Sequence, residues 1–143
     1  MFRKIGQYEI EAEGELLRVW SSAECNLESA QEYAAAVAQM IERMPPVFGV
    51  LAELDAPLIL GPEVEASMRE TAAYRARRGM VAVAFVLACD DGLTIMSRQW
   101  DRIYRPAGVA HAFFADAAAA REWLRARLGA ARQGQLSPPM IAE

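Results

Sequence analysis

His111 is the only histidine in the chain, so it is the single candidate imidazole base, and no multi-histidine metal site can be built around it. It falls inside an apolar strand pattern, which suits a structural histidine at least as well as a general base. Cys89 closes a long apolar run beside Asp90 and Asp91. The end of a strand is a good place for a nucleophile, yet two adjacent carboxylates raise a thiol's pKa and deplete the reactive thiolate. Cys89 and Cys25 therefore read as small buried apolar residues, and a disulfide between them is not expected inside a cell. Asp55, Asp90 and Asp91 should gather near the carboxyl ends of the third and fourth strands, where open α/β sheets bind ligands. Paired carboxylates there could exchange protons, but Asp90-Asp91-Gly92 is also an ordinary turn. An acidic rim disfavours phosphate, and no glycine-rich phosphate loop follows any strand. The residues thus supply no catalytic set, and no metal or cofactor is expected.

Surface chemistry offers more. Arg98, Arg102 and Arg105 share one helix face, with Asp101 four residues before Arg105 as a local ion pair. Such a stripe could meet an acidic protein or the anionic headgroups of a membrane surface, although a solvated face needs no further cause. The loop Ala56-Pro57-Leu58-Ile59-Leu60 is apolar, and the helix after it is thinly so, with Val64, Met68 and Ala72 as its anchors. A lightly held helix behind an apolar loop could be a lid over a pocket lined by Leu58, Leu60, Val64, Met68 and Phe85. It could equally be a docking surface built from Asp55, Leu58, Ile59 and Leu60 with Arg98 and Arg102.

The elements that must position these residues follow from periodicity. Tyr8, Ile10 and Ala12 alternate with Glu9, Glu11 and Glu13, predicting a strand with one dry face, and Leu16 to Trp20 returns as its hairpin partner. The glutamates suit a sheet edge, because like charges oppose pairing with another chain. Asn26 can cap a helix whose Ala30, Tyr33, Ala34, Val37, Ile41 and Met44 form one stripe, ended by Pro45-Pro46. Val47 to Leu54 is a strand covered on both faces. Gly61-Pro62 opens the second helix and Gly79 closes it, after Arg75, Arg77 and Arg78, which complement the helix dipole. Met80 to Ala88 is the central strand. A third helix turns Ile95, Met96, Trp100, Ile103 and Tyr104 inward; Val109 to Phe114 is the fifth strand; Asp116 caps a fourth helix, with Ala120, Leu124 and Leu128 on its dry side, that ends at Gly129. The alternation predicts an α/β fold, a five-stranded mostly parallel sheet with an N-terminal hairpin and four helices.

Composition bounds the same picture. The 143 residues are 54% apolar with a net charge of −4, which suits one folded domain with a real core and excludes disorder and a disulfide scaffold. Residues 1–70 carry 5 basic and 13 acidic side chains, and residues 71–143 carry 10 and 6. A pI near 5.1 argues against a nucleic-acid binder. The longest apolar run, Met80 to Cys89, is about half of what a bilayer span needs, and no apolar stretch follows Arg3 and Lys4, so the chain is expected to stay in the cytoplasm. Paired prolines at 138 and 139 make residues 130–143 a mobile tail by expectation, leaving residues 1–129 as the domain.

With that order in place, the chain resembles the SpoIIAA-like family, single-domain relatives of STAS domains (sulfate transporter and anti-sigma factor antagonist). The residues that carry the resemblance are the opening hairpin, the long helix after Asn26, the strand ending Ala52-Glu53-Leu54-Asp55, Trp100-Asp101-Arg102, the strand Val109-Ala110-His111-Ala112-Phe113-Phe114, and the ending Asp116 through Ala120-Arg121-Glu122-Trp123-Leu124. The resemblance implies a short right-handed βα superhelix without enzymatic activity, used to dock proteins or to bind apolar or nucleotide-like ligands. Regulatory members place a phosphorylatable Ser, in an Asp-Ser-x-Gly pattern, after the third strand. Here the matching stretch is Asp55-Ala56-Pro57-Leu58, and Ala56 has no hydroxyl, which argues against a phosphorylation switch there.

The expected function is accordingly a non-enzymatic docking domain for a protein partner, a second copy of the chain included. The alternative is a carrier or sensor of an apolar, lipid-like small ligand.

Overall fold

Each crossover in this chain joins neighbouring strands, so the sheet runs in sequence order. The computed structural model describes residues 3–5, 8–21, 26–55, 58–88 and 92–136. Its sheet contains β1 (Arg3–Ile5), β2 (Tyr8–Glu13), β3 (Leu16–Ser21), β4 (Phe48–Leu54), β5 (Met80–Val86) and β6 (Ala110–Phe114), side by side in that order. The first two pairings are antiparallel and the other three parallel. Between the parallel strands lie α1 (Leu27–Ile41), α2 (Pro62–Arg77) and α3 (Leu93–Tyr104), and α4 (Ala117–Leu136) follows the last strand.

A parallel sheet that grows always in one direction through crossovers of one hand must place its connecting helices on one face. Buried residues of α1, α2 and α3, including Val37, Ile41, Met68, Ala72, Met96 and Trp100, accordingly share one core with Tyr8, Val19, Phe48, Val50, Val83 and Phe85. The opposite face packs Leu16, Leu51, Ala82 and Ala84 against Ala120, Leu124 and Leu128 of α4. The strands alternate between the two cores, and a register shift between Phe48 and Gly49 accommodates the one break in that alternation. Gly49 faces α4, where a Cβ would lie 3.1 Å from the Leu124 side chain. Gly79, at φ +116°, lets the chain leave α2 where a Cβ would sit 2.0 Å from the Pro46 carbonyl oxygen.

Capping follows the residues named for it. Asn26 accepts from the Ser29 N–H at 2.8 Å while Ser29 Oγ accepts from the Asn26 N–H, a reciprocal box. Asp116 accepts from the Ala119 N–H at 2.9 Å, and Pro62 begins α2.

Several expectations are corrected. A sixth strand, β1, pairs along the outer side of β2, so the glutamate-bearing strand is not the sheet edge. Glu13 of that strand is engaged: Arg18 binds it at 3.2 Å and Glu53 of β4 at 2.9 Å, and Arg121 reaches Glu13 at 2.7 Å. Ala12 lies on the same face as Ile10, opposite Leu17, but is exposed. Ile95 is 60% exposed and not inward; Gln99 is buried in its stead. The last helix does not stop at Gly129 but runs to Leu136. A glycine inside a helix costs only about 1 kcal/mol, and the following Ala130-Ala131-Arg132 repay it, with Ala131 packed on the core and Arg132 paired to Glu15. Residues 130–136 are therefore helix rather than tail, and residues 137–143 lie outside the described residues. No helix among the described residues is long and apolar enough to cross a membrane.

Candidate functional site

The side of the sheet that carries α1–α3 is not filled. A cleft lies between β2–β5 and these helices, lined by Tyr8, Val50, Phe85, Trp100 and Tyr104 among others, with Ser21, Leu54 and Ser29 at one end. Those three residues belong to the carboxyl ends of β3 and β4 and to the first turn of α1. The cleft is narrow, with about 690 Å³ of atom-free space when its mouth is included.

Aromatic side chains build its wall. Phe85 lies 5.0 Å from Trp100 and 4.8 Å from Phe113 between ring centroids, and Trp100 stacks on Tyr104 at 5.6 Å. Tyr8 meets Tyr33 edge-on at 5.0 Å. Burial pushes the Tyr104 phenol well above its ordinary pKa, against the opposing pull of the Arg75 charge, so it stays neutral.

Arg75 is the exception in this apolar wall. It is 5% exposed, its guanidinium carbon stands 5.4 Å from the centre of the Tyr33 ring, and its Nη2 finds no hydrogen-bond acceptor among the described residues. Trp100 Nε1 is a second buried donor without an acceptor among them. Both residues line the cleft. The sequence does contain the signal for Arg75: Val64, Met68, Ala72 and Arg75 recur at steps of four, four and three, and all four are buried on the inner side of α2. Grouping Arg75 with Arg77 and Arg78 as a dipole partner hides that register.

The expected pocket is met in part. Leu58, Met68 and Phe85 line the cleft, whereas Leu60 and Val64 are buried beside it without lining it. The expected docking loop fares differently, since Leu58 and Leu60 are 6% and 5% exposed and only Ile59, at 48%, faces out. The reason is Gln99. Its side-chain oxygen accepts from the Leu60 N–H and its amide donates to the Leu60 carbonyl, each at 2.7 Å, so the loop is held to α3 as a strand would hold it. Gln99 also donates to Glu65 at 3.1 Å, and Arg102 grips both Glu65 oxygens at 2.9 and 3.0 Å. The Arg102 contact, and then that of Gln99, hold the Glu65 carboxyl at a pKa of about 2. Arg102 is thus engaged in joining α3 to α2, while Arg98 is exposed. These bonds correct the expectation of a lightly held second helix.

Asp55 is exposed and accepts from Trp20 Nε1 at 2.8 Å. Cys25, Ala56, Cys89, Asp90 and Asp91 lie outside the described residues. His111 is half-buried with Nε2 3.8 Å from Asp101, and burial lowers its pKa despite that carboxylate. Among the described residues no group of acidic, histidine and cysteine side chains could hold a metal. No protein-family model, curated protein or solved structure matches the chain.

Proposed function

We propose that this chain is a non-enzymatic binding domain that holds an apolar small molecule between its sheet and helices α1–α3. The observation that carries the reading is the aromatic-walled cleft between the sheet and α1–α3, with Ser21, Leu54 and Ser29 among its lining, since small-molecule sites are concave and mostly apolar with a few polar groups. The resemblance to SpoIIAA-like and STAS domains agrees with it, since strands in sequence order joined by helices on one face are what a right-handed βα superhelix requires. A cytoplasmic carrier or sensor fits these features. The test is extraction: protein purified without detergent and then denatured should release an apolar compound in near-stoichiometric amount, detected by mass spectrometry. An empty extract, together with no saturable uptake of a medium-chain alcohol or acid, would overturn the reading.

Docking to a protein partner or a second copy is the second reading. Ile59 and Ile95 favour it, being the large apolar side chains that stay exposed among the described residues and flanking the Gln99–Leu60 bonds in sequence, with the exposed Arg98 on the same helix as Ile95. Sedimentation of the purified chain distinguishes it, because a strict monomer whose sedimentation is unchanged by Ile59→Ser with Ile95→Ser has no self-association through that patch.

A further inference from the structure

Resting on the reading of the cleft as an apolar-ligand site, we infer that its ligand is an anion, a monocarboxylic acid with a slender apolar body whose carboxylate binds Arg75. Arg75 is a fixed positive charge in a wall of Leu58, Met68, Phe85, Trp100 and Tyr104, and no carboxylate of the described residues pairs with it. The stacking of its guanidinium over Tyr33 takes up one face of the group and none of its N–H donors. A buried cation without a counter-charge is among the costlier arrangements in a folded chain, and its usual partner is a carboxylate that accepts two parallel N–H bonds.

Position and capacity narrow the class. Arg75 lies two turns beyond Met68 on α2, and helical side chains lean toward their own N-terminus, which for α2 is the end near the carboxyl edge of the sheet. The guanidinium thus reaches back along the cleft. Arg75 Nη2 and the Trp100 indole N–H are buried N–H donors of the lining that lack an acceptor among the described residues. That set matches the single charge and two oxygens of a carboxylate; a phosphate dianion calls for more donors and more positive charge. The narrowness of the space favours an unbranched chain over a bulky ring system.

The experiment compares decanoate with 1-decanol by isothermal titration calorimetry, on the wild-type chain and on Arg75→Met, which keeps the length and apolar stem of the side chain and removes its charge. Decanoate is expected to bind the wild type at least about tenfold more tightly than decanol, and Arg75→Met to abolish that preference. Thermal unfolding adds a readout that a purely structural arginine would move the other way: without ligand, Arg75→Met should melt higher than wild type, because an unpaired buried charge has been replaced by an apolar side chain. Equal affinity of the wild type for the two compounds overturns the anionic assignment and leaves the apolar-ligand reading standing. Binding of neither overturns both. A preference for decanoate that survives in Arg75→Met overturns Arg75 as its seat. The wild-type comparison decides the charge question even where the variant fails to fold.

Discussion

The two faces of the sheet are packed by opposite strategies. On the α4 side the strands present Gly49, Ala82 and Ala84, small enough for Leu124 and Leu128 to come down onto the backbone, and both leucines are fully buried. On the α1–α3 side they present Phe48, Val50, Val83 and Phe85, and three helices stand over these large side chains without closing on them all. Small strand residues let α4 close directly on β4–β6, while β2 and β3 carry polar residues on that face; large ones under three helices leave a seam. The same sheet therefore carries a structural face and a receptive face, and the buried charge lies on the receptive one.

Substitutions can break that division. Phe85→Ala should have the largest effect, costing about 3–5 kcal/mol as buried aromatic truncations do, because the ring stacks on Phe113 and meets Trp100. An unfolding midpoint equal to wild type would mean that β5 is misplaced. Leu124→Ala should cost about 3 kcal/mol and leave decanoate affinity unchanged, since Leu124 belongs to the other core. Loss of binding at constant fold would show that the faces are not independent. Gln99→Leu leaves the Leu60 N–H and carbonyl without their partner, a loss of about 2 kcal/mol, and should speed hydrogen exchange in the segment before α2 more than in α4.

The smallest effect is electrostatic. The Glu65 carboxyl is held at about 2 in the folded chain against an ordinary 4.5. A depressed folded value stabilises above the unfolded pKa, and that contribution is lost as pH falls from about 4.5 through about 2. Acid unfolding of Glu65→Gln should therefore be less steep over this window than that of wild type, while the two differ by a constant amount near neutral pH. Parallel curves would mean that Arg102 does not hold Glu65 in solution.

Element type and order were legible from local pattern. Period-two alternation found β2, apolar runs found β4 and β5, and Asn26, Pro62 and Asp116 marked helix starts, all signals carried within a few residues. The carboxyl end of β4, and Leu58, Met68 and Phe85 as wall residues, could be anticipated in the same way. The short strand β1 could not, because three residues carry no periodicity and pairing alone makes them a strand. The run past Gly129 depended likewise on a remote partner, Glu15, for Arg132.

By itself, then, the sequence determined which longer segments are strands and helices, that they alternate, and that a single histidine is present, because these depend on residue type and near-neighbour spacing. Tertiary structure alone decided that Gln99 holds Leu60, that Arg102 pairs with Glu65, and that Arg75 faces an unfilled seam with no acceptor among the described residues. Those outcomes turn on groups 37 to 39 residues apart, or on space left between layers, and no local pattern records how three helices will settle on a face of large side chains.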